Sequence, residues 1–219
     1  MLTDLPAINQ ILKKMTPIER IQWANEKVNG NMITTTSGGK TSRIIPDLLN
    51  KALKEKIPTI FVDTGFYPKD TYNFVKKMKD AGIDIHCYGS NMSPWLIESM
   101  FGKIPKHGSE EFDAFLKIVK HDPLNNAFRK LKPKLWIRGI MHYQTNKRKD
   151  KDILEYKNNI YHLHPIIDWD QETALKYIRD NKLPINEKHY DITKGKSQKF
   201  ECNIGDHCGV HGGDDDGVF

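Results

Sequence analysis

Three features of this sequence predict an α/β fold built on an open, mostly parallel twisted sheet flanked by helices. Short apolar, β-branched runs alternate with helix-period stretches over residues 32 to 88. The first run, Met32-Ile-Thr-Thr-Thr36, stops at Ser37-Gly-Gly39, a glycine turn set between a strand and a helix. The chain also has 219 residues, 38% hydrophobic and 28% charged, which suits one domain with a sizeable core and excludes a disordered tail protein or a collagen-like repeat.

The elements follow in order. Pro17 to Val28 has the spacing of a short amphipathic helix ahead of the first strand. After the glycine turn, Ile44, Leu48 and Ala52 lie beside Ile45, Leu49 and Leu53 in a helical stripe, with Pro46 expected to cost a backbone hydrogen bond or add a kink. A strand Thr59 to Val62, a helix from about Lys69 to Ala81 and a strand Ile83 to Tyr88 continue the alternation, and Cys87 is expected in the core. Residues 91 to 133 read as helices broken by Pro94, Pro105 and Pro123. Leu135 to Ile140 is a buried-type strand, His142 to Lys151 a basic loop, and Asn159 to His164 a last strand. Asp168 is expected to open a helix through Asn181, with Gln171 as its capping partner. Beyond Pro184 the pattern fades toward Gly212-Gly-Asp-Asp-Asp-Gly-Val-Phe219.

Composition narrows the setting. No window approaches eighteen uninterrupted apolar residues, and Asp4, Glu19 and Glu26 interrupt the region where a signal peptide would need an apolar run, so a cytoplasmic protein with no membrane contact is expected. Three cysteines, Cys87, Cys202 and Cys208, are too few for a disulfide framework in a chain of this length. The net charge of +6 is concentrated: residues 103 to 157 hold fourteen Lys and Arg against seven Asp and Glu. Such a surplus suits a nucleic acid, a membrane surface or a multiply charged small anion.

Ser37-Gly-Gly-Lys-Thr-Ser42 stands where an α/β sheet binds anions. Glycines let the backbone approach the ligand, free N–H groups point at its oxygens, and the helix dipole adds positive potential. The spacing is not that of a Walker A loop. Ser37, Gly38, Gly39, Lys40, Thr41 and Ser42 therefore form a candidate phosphate cradle.

The spelling Ser-Gly-Gly-Lys-x-Ser resembles the loop of the adenine nucleotide α-hydrolase-like superfamily, a Rossmann-like fold. That superfamily includes ATP pyrophosphatases and adenylyl-sulfate reductases. Thr41 stands where the ATP-cleaving branch usually has Asp. Asp63-Thr64-Gly65 resembles the reductases' Asp-Thr-Gly segment, and Phe66-Tyr-Pro-Lys-Asp-Thr-Tyr72 extends the likeness. Lys120-His-Asp-Pro-Leu124 is similar to the Lys-Val-Glu-Pro-Leu segment of phosphoadenylyl-sulfate (PAPS) reductases, and His164-Pro-Ile-Ile-Asp-Trp169 to their Pro-Leu/Ile-Ile-Asp-Trp helix entry. The likeness covers about residues 20 to 212.

Gly139 to Arg148 aligns with the family's Gly-x-Arg-Arg-x-Gln-Ser-x-x-Arg loop, which engages the nucleotide's charged groups. Gly139, Gln144, Thr145 and Arg148 match, whereas Met141 and His142 replace the Arg-Arg pair and remove two bidentate oxyanion contacts; Lys147 and Lys149 can compensate as point charges. His207-Cys-Gly-Val-His211 resembles the family's Glu-Cys-Gly-Leu-His, whose cysteine is the nucleophile. By resemblance Cys208 attacks sulfur, His211 contacts the sulfo group and Lys120 holds its oxygens. Cys202, His207, Cys208 and His211 also make a permissible zinc set, but adjacent ligands at 207 and 208 strain one tetrahedron, and no bound metal is expected. Cluster-carrying adenylyl-sulfate reductases need four cysteines, with a pair where Phe115 and Leu116 stand here, so the chain resembles the cluster-free branch that uses PAPS.

The resemblance implies a PAPS reductase-like nucleotide-binding domain over residues 1–193 and a flexible C-terminal tail over 194–219 that carries the catalytic cysteine. It implies reduction of PAPS to sulfite and adenosine 3′,5′-bisphosphate in assimilatory sulfate reduction, with reduced thioredoxin or glutaredoxin as electron donor, no bound cofactor, and a homodimer as a possible assembly. Two other readings stand beside it: an ATP pyrophosphatase-type adenylating enzyme, and a non-catalytic nucleotide or nucleic-acid binder. Only Tyr143 and Tyr156 lie inside the Lys/Arg loop of residues 142 to 157, which supports a base-stacking platform weakly, so no nucleic-acid partner is expected.

Overall fold

The computed structural model describes residues 2–102, 104–191 and 193. Six strands form one sheet: β1 (Met32–Thr36), β2 (Thr59–Asp63), β3 (Ile85–Gly89), β4 (Leu135–Ile137), β5 (Leu154–Lys157) and β6 (Ile160–Leu163), in the order β3-β2-β1-β4-β6-β5. All neighbours are parallel except the β5–β6 pair. The chain builds outward from β1 through β2 to β3, then returns to place β4 on the other side of β1. The strand order therefore reverses beside β1, and a crevice at such a switch point is where open α/β sheets take ligands.

Helices cover both faces. On one face α3 (Ile44–Ala52), with α1 (Leu5–Leu12), α2 (Pro17–Lys27) and α8 (Gln171–Asp180), encloses a core around Leu48, Leu135, Ile137 and Leu163. Helix α4 (Lys69–Asp80) closes a smaller cluster, packing Phe74, Val75 and Met78 on Phe61 and Ile85. On the other face α7 (Asp122–Leu131) sets Leu124, Ala127 and Phe128 against Ile33, Ile60, Val62 and Trp136. Helix α5 (Pro94–Phe101) and α6 (Glu110–Leu116) pack together through Ile97, Phe112 and Phe115.

Several expectations need correcting. Pro46 causes no loss, because it is the third residue of α3, where a backbone N–H has no partner within the helix. Pro94 and Pro123 start α5 and α7 rather than break helices, since the first turn tolerates a missing N–H. Asp168 does not open the last helix: Asp170 is the N-cap, accepting from the Thr173 N–H at 2.7 Å, while Asp168 is drawn to Arg20. Cys87 is exposed, not core, because β3 is an edge strand paired on one side only. Strand β5 and helix α1 were not expected from the sequence pattern. Among the described residues no helix is long and apolar enough to cross a membrane.

Candidate functional site

The segment Ser37 to Arg43 leaves the carboxyl end of β1 and runs into α3. Gly38 has φ +72°, and a Cβ there would stand 2.9 Å from Thr71 Cγ2, so both backbone conformation and space demand glycine. The Gly38 N–H donates to Thr36 Oγ1 at 3.2 Å, and the Ser42 N–H to the Gly39 carbonyl at 3.2 Å, which folds the loop over the strand end. No side chain caps α3: its N-cap is Arg43, in helical conformation and without a side-chain hydrogen bond to the helix. A helix start left open in this way presents N–H groups and positive potential to an anion. Arg43 adds a cation, with Nε and Nη1 buried and without hydrogen-bond partners. Burial pushes its pKa down, and the nearby Asp47 carboxylate acts in the opposite direction.

The Asp63–Gly65 turn lies beside this loop because β2 is the parallel neighbour of β1. Asp63 Oδ1 accepts from the Gly65 N–H and from the Tyr72 hydroxyl, each at 2.8 Å. Burial and that hydrogen bond to Asp63 push the Tyr72 phenol well above its ordinary pKa, so it remains a donor. Gly65, at φ +79°, lets α5 close in: a Cβ there would be 2.8 Å from Pro94 Cγ. Thr64 is buried.

Lys120 sits on a π turn, Lys117–His121, that joins α6 to α7. Such turns within helices recur at functional sites. Its Nζ donates to Asp191 Oδ2 at 2.8 Å and to Thr193 Oγ1, with both members of the ion pair almost wholly buried. The segment that supplies Asp191 also touches the cradle. Asn186 Nδ2 donates to the Gly38 carbonyl at 2.9 Å and to Thr71 Oγ1 at 3.2 Å, and His189 Nδ1 pairs with Thr71 Oγ1 at 3.3 Å. Residues 186–191, with Thr193, thus form a strap from the glycine loop to Lys120.

The loop after β4 differs in character from its sequence. Gly139 permits close packing on α3, since a Cβ would meet Ile45 Cγ1 at 2.8 Å. Met141, where the family has arginine, is fully buried in the main core. His142 is tied down, its backbone N–H donating to the Ile167 carbonyl and its Nε2 lying 2.9 Å from the Lys151 carbonyl. Gln144 Oε1 accepts from the Met141 N–H at 3.0 Å and from Arg148 Nη1, so Gln144 and Arg148 brace the loop from inside, both buried. Thr145 Oγ1 is buried without a hydrogen-bond partner. Lys147 and Lys149 are the exposed cations of this loop.

Sequence reasoning passed over Arg43, Asn186, Asp191, Thr193 and Arg138. Arg138, directly after β4, is wholly buried, with its guanidinium 4.4 Å from the Trp136 ring and Nη1 3.1 Å from His162 Nδ1. Burial, with the Arg138 charge, pulls His162 down to about 3, so it stays neutral. A basic residue closing an otherwise apolar strand was the available signal. Cys202, His207, Cys208 and His211 lie outside the described residues, as does the 194–219 tail. Among the described residues no three His, Cys, Asp or Glu side chains group as a metal site.

A mostly parallel sheet with an uncapped helix start and a glycine loop at the carboxyl end of β1, joined by a strap to a buried lysine, is an α/β architecture of the adenine nucleotide α-hydrolase-like type. The model of the phosphoadenosine phosphosulfate reductase domain matches residues 31–191, and the chain belongs to that family. It is similar to phosphoadenosine 5′-phosphosulfate reductase of Salmonella agona, 29% identical over 192 residues covering 83% of this chain and 78% of the relative. The enzyme of that name from Pectobacterium atrosepticum is 29% identical over 180 residues, 82% of this chain and 73% of the relative. Among solved structures, the PAPS reductase from Candida auris in a phosphate complex superposes with a TM-score of 0.71 at 24% identity, over 85% of this chain and 91% of that one. An NH3-dependent NAD synthetase from Campylobacter jejuni shares the fold more distantly, with a TM-score of 0.52 at 14% identity over 86% of this chain and 80% of that one.

Proposed function

We propose that the chain reduces PAPS to sulfite and adenosine 3′,5′-bisphosphate through a cysteine-bound sulfo group, a step of assimilatory sulfate reduction. The observation that carries this reading is the juxtaposition, at the carboxyl end of β1, of an uncapped helix start with its glycine cradle and a strap leading from that cradle to a buried lysine, in a chain of this family. The phosphate oxygens sit against the backbone of the Ser37–Ser42 loop and the start of α3, with Lys40 and Arg43 supplying positive charge, and the Asp63–Gly65 turn borders the nucleotide on the β2 side. Lys120 holds the sulfo oxygens, assisted by His211. Gly139, Gln144, Thr145 and Arg148 shape the loop that presents Lys147 and Lys149 to the remaining charges.

The Cys208 thiolate attacks the sulfo sulfur, and the sulfur–oxygen bond to the nucleotide breaks with its electron pair going to the departing phosphate oxygen. Charge therefore grows on the phosphate as it leaves, where the cradle and the start of α3 are placed to receive it. A thiolate of a dithiol reductant, thioredoxin or glutaredoxin, then attacks Cys208 Sγ, and the sulfur–sulfur bond breaks to release sulfite. The reductant's second thiol attacks the mixed disulfide, restores the Cys208 thiolate and leaves the reductant oxidised by two electrons. Sulfite formed from PAPS in the presence of reduced thioredoxin tests the proposal. Release of pyrophosphate from ATP, with no sulfite from PAPS, would replace it with the adenylating alternative.

A further inference from the structure

The ion pair at Lys120 raises a chemical conflict with the sulfo group that this lysine is assigned to hold. Lys120 and Asp191 are both shielded from water, and Asp191 is fixed from within its own segment: the Thr193 N–H donates to Oδ1 at 3.0 Å while Oδ2 faces the ammonium at 2.8 Å. In a dry interior a second anion brought to the same ammonium is repelled by the first carboxylate, so the two cannot share Lys120 without loss. The strap is anchored separately at Asn186, through Gly38 and Thr71, so the cradle end does not depend on the Lys120 pair. A nucleotide without a sulfo group has nothing to place at Lys120 and leaves the pair as it stands.

We propose that Asp191 is a specificity-determining residue that competes with the substrate's sulfo group for Lys120, so that only a sulfo-bearing nucleotide exchanges this internal anion for its own. The inference rests on the assignment of Lys120 to the sulfo group. Its consequence is that the ammonium stays aimed while the site is empty.

The test is an equilibrium titration of the full chain carrying Cys208→Ser, which keeps PAPS intact, against PAPS and against adenosine 3′,5′-bisphosphate. Adding Asp191→Asn, which preserves shape and removes the charge, is expected to tighten PAPS roughly tenfold and to leave the bisphosphate within about twofold. General damage to the fold would move both ligands together, and that result, or weaker PAPS binding, overturns the proposal. Thr193→Val, which removes the hydroxyl beside Asp191, is expected to shift the ratio in the same direction by roughly threefold and carries the test if Asp191→Asn does not fold. Lys120→Met separates the two levels. If it weakens PAPS while Asp191→Asn fails to tighten it, only the role of Asp191 falls; if it leaves PAPS affinity unchanged, the assignment of Lys120 falls and the proposal with it.

Discussion

Arg20 lays both arms of its guanidinium on Asp168, with Nη1 2.8 Å from Oδ1 and Nη2 2.6 Å from Oδ2, across 148 residues of sequence. The same side chain reaches the carbonyls of Leu12 and Pro165, so one buried cation ties α2 to the turn before α8 and to the end of α1. Burial alone would raise the Asp168 pKa, but the hydrogen bonds and charge of Arg20 outweigh it and the net shift is downward.

That shift fixes a pH window. The unfolded carboxyl titrates near ~3.9, and the folded value lies below it, so the stabilisation is fully present above about pH 4 and is lost as pH falls through the folded value. Asp168→Asn is expected to cost about 1–2 kcal/mol at neutral pH, a reduced figure because Asp168 is half exposed. Thermal unfolding across a buffer series should show the gap between the two proteins constant above about pH 5 and narrowing below about pH 4.

Gly38→Ala places a side chain on a backbone at φ +72° and against Thr71. The expected result is a loss of about 1–3 kcal/mol in stability together with weaker binding of adenosine 3′,5′-bisphosphate, both measurable by ligand-dependent melting.

Charge at the loop after β4 should act through Lys147 and Lys149, since Arg148 is turned inward to Gln144. Replacing both lysines by Gln is expected to raise KM for PAPS several-fold and to affect adenylyl sulfate less, because the 3′-phosphate adds charge. Arg148→Ala should instead lower the melting temperature. Steady-state kinetics at two salt concentrations read the first effect and calorimetry the second.

Cys208→Ser is expected to keep nucleotide affinity and to release no sulfite, since serine's hydroxyl stays protonated near neutral pH and is a poor nucleophile. Intact mass of the unmutated chain incubated with PAPS and no reductant should show one added sulfo group, mapping to Cys208. Cys87 is the control: it is exposed, but burial of part of its surface and the Asp63 charge push its thiol upward in pKa. Cys87→Ser should therefore leave turnover unchanged.

Strands β1, β2 and β4 were legible because an apolar β-branched run has a local signature, and the glycine loop because a strand-to-helix turn has one too. The polar strand β5 has none: it is an edge strand of Leu-Glu-Tyr-Lys, recruited by pairing with β6. The start of α8 was misplaced because Asp168 and Asp170 are equivalent as local caps, and only Arg20, far away in sequence, decides between them. Similarly, Lys120 was legible through resemblance, whereas its partner Asp191 comes from 71 residues further on, in a stretch without periodicity. Arg148 was legible through resemblance to the family loop, whereas its burial against the Gln144 carbonyl has no local signature.

The π turn at Lys117–His121 makes chain length part of the site. Such a turn is a helix that has accommodated one residue too many, and each residue in a helix advances a side chain by roughly 100° around the axis. Deleting a single residue from Lys117–Val119 would draw α6 and α7 toward one regular helix with Pro123 in its interior, and would turn Lys120 by roughly 100° relative to α6 while every side chain implicated in binding remained in the sequence. The lysine's aim is thus stored as a count, and a homologue with the full set of matching residues but one fewer in this interval is expected to point its ammonium elsewhere.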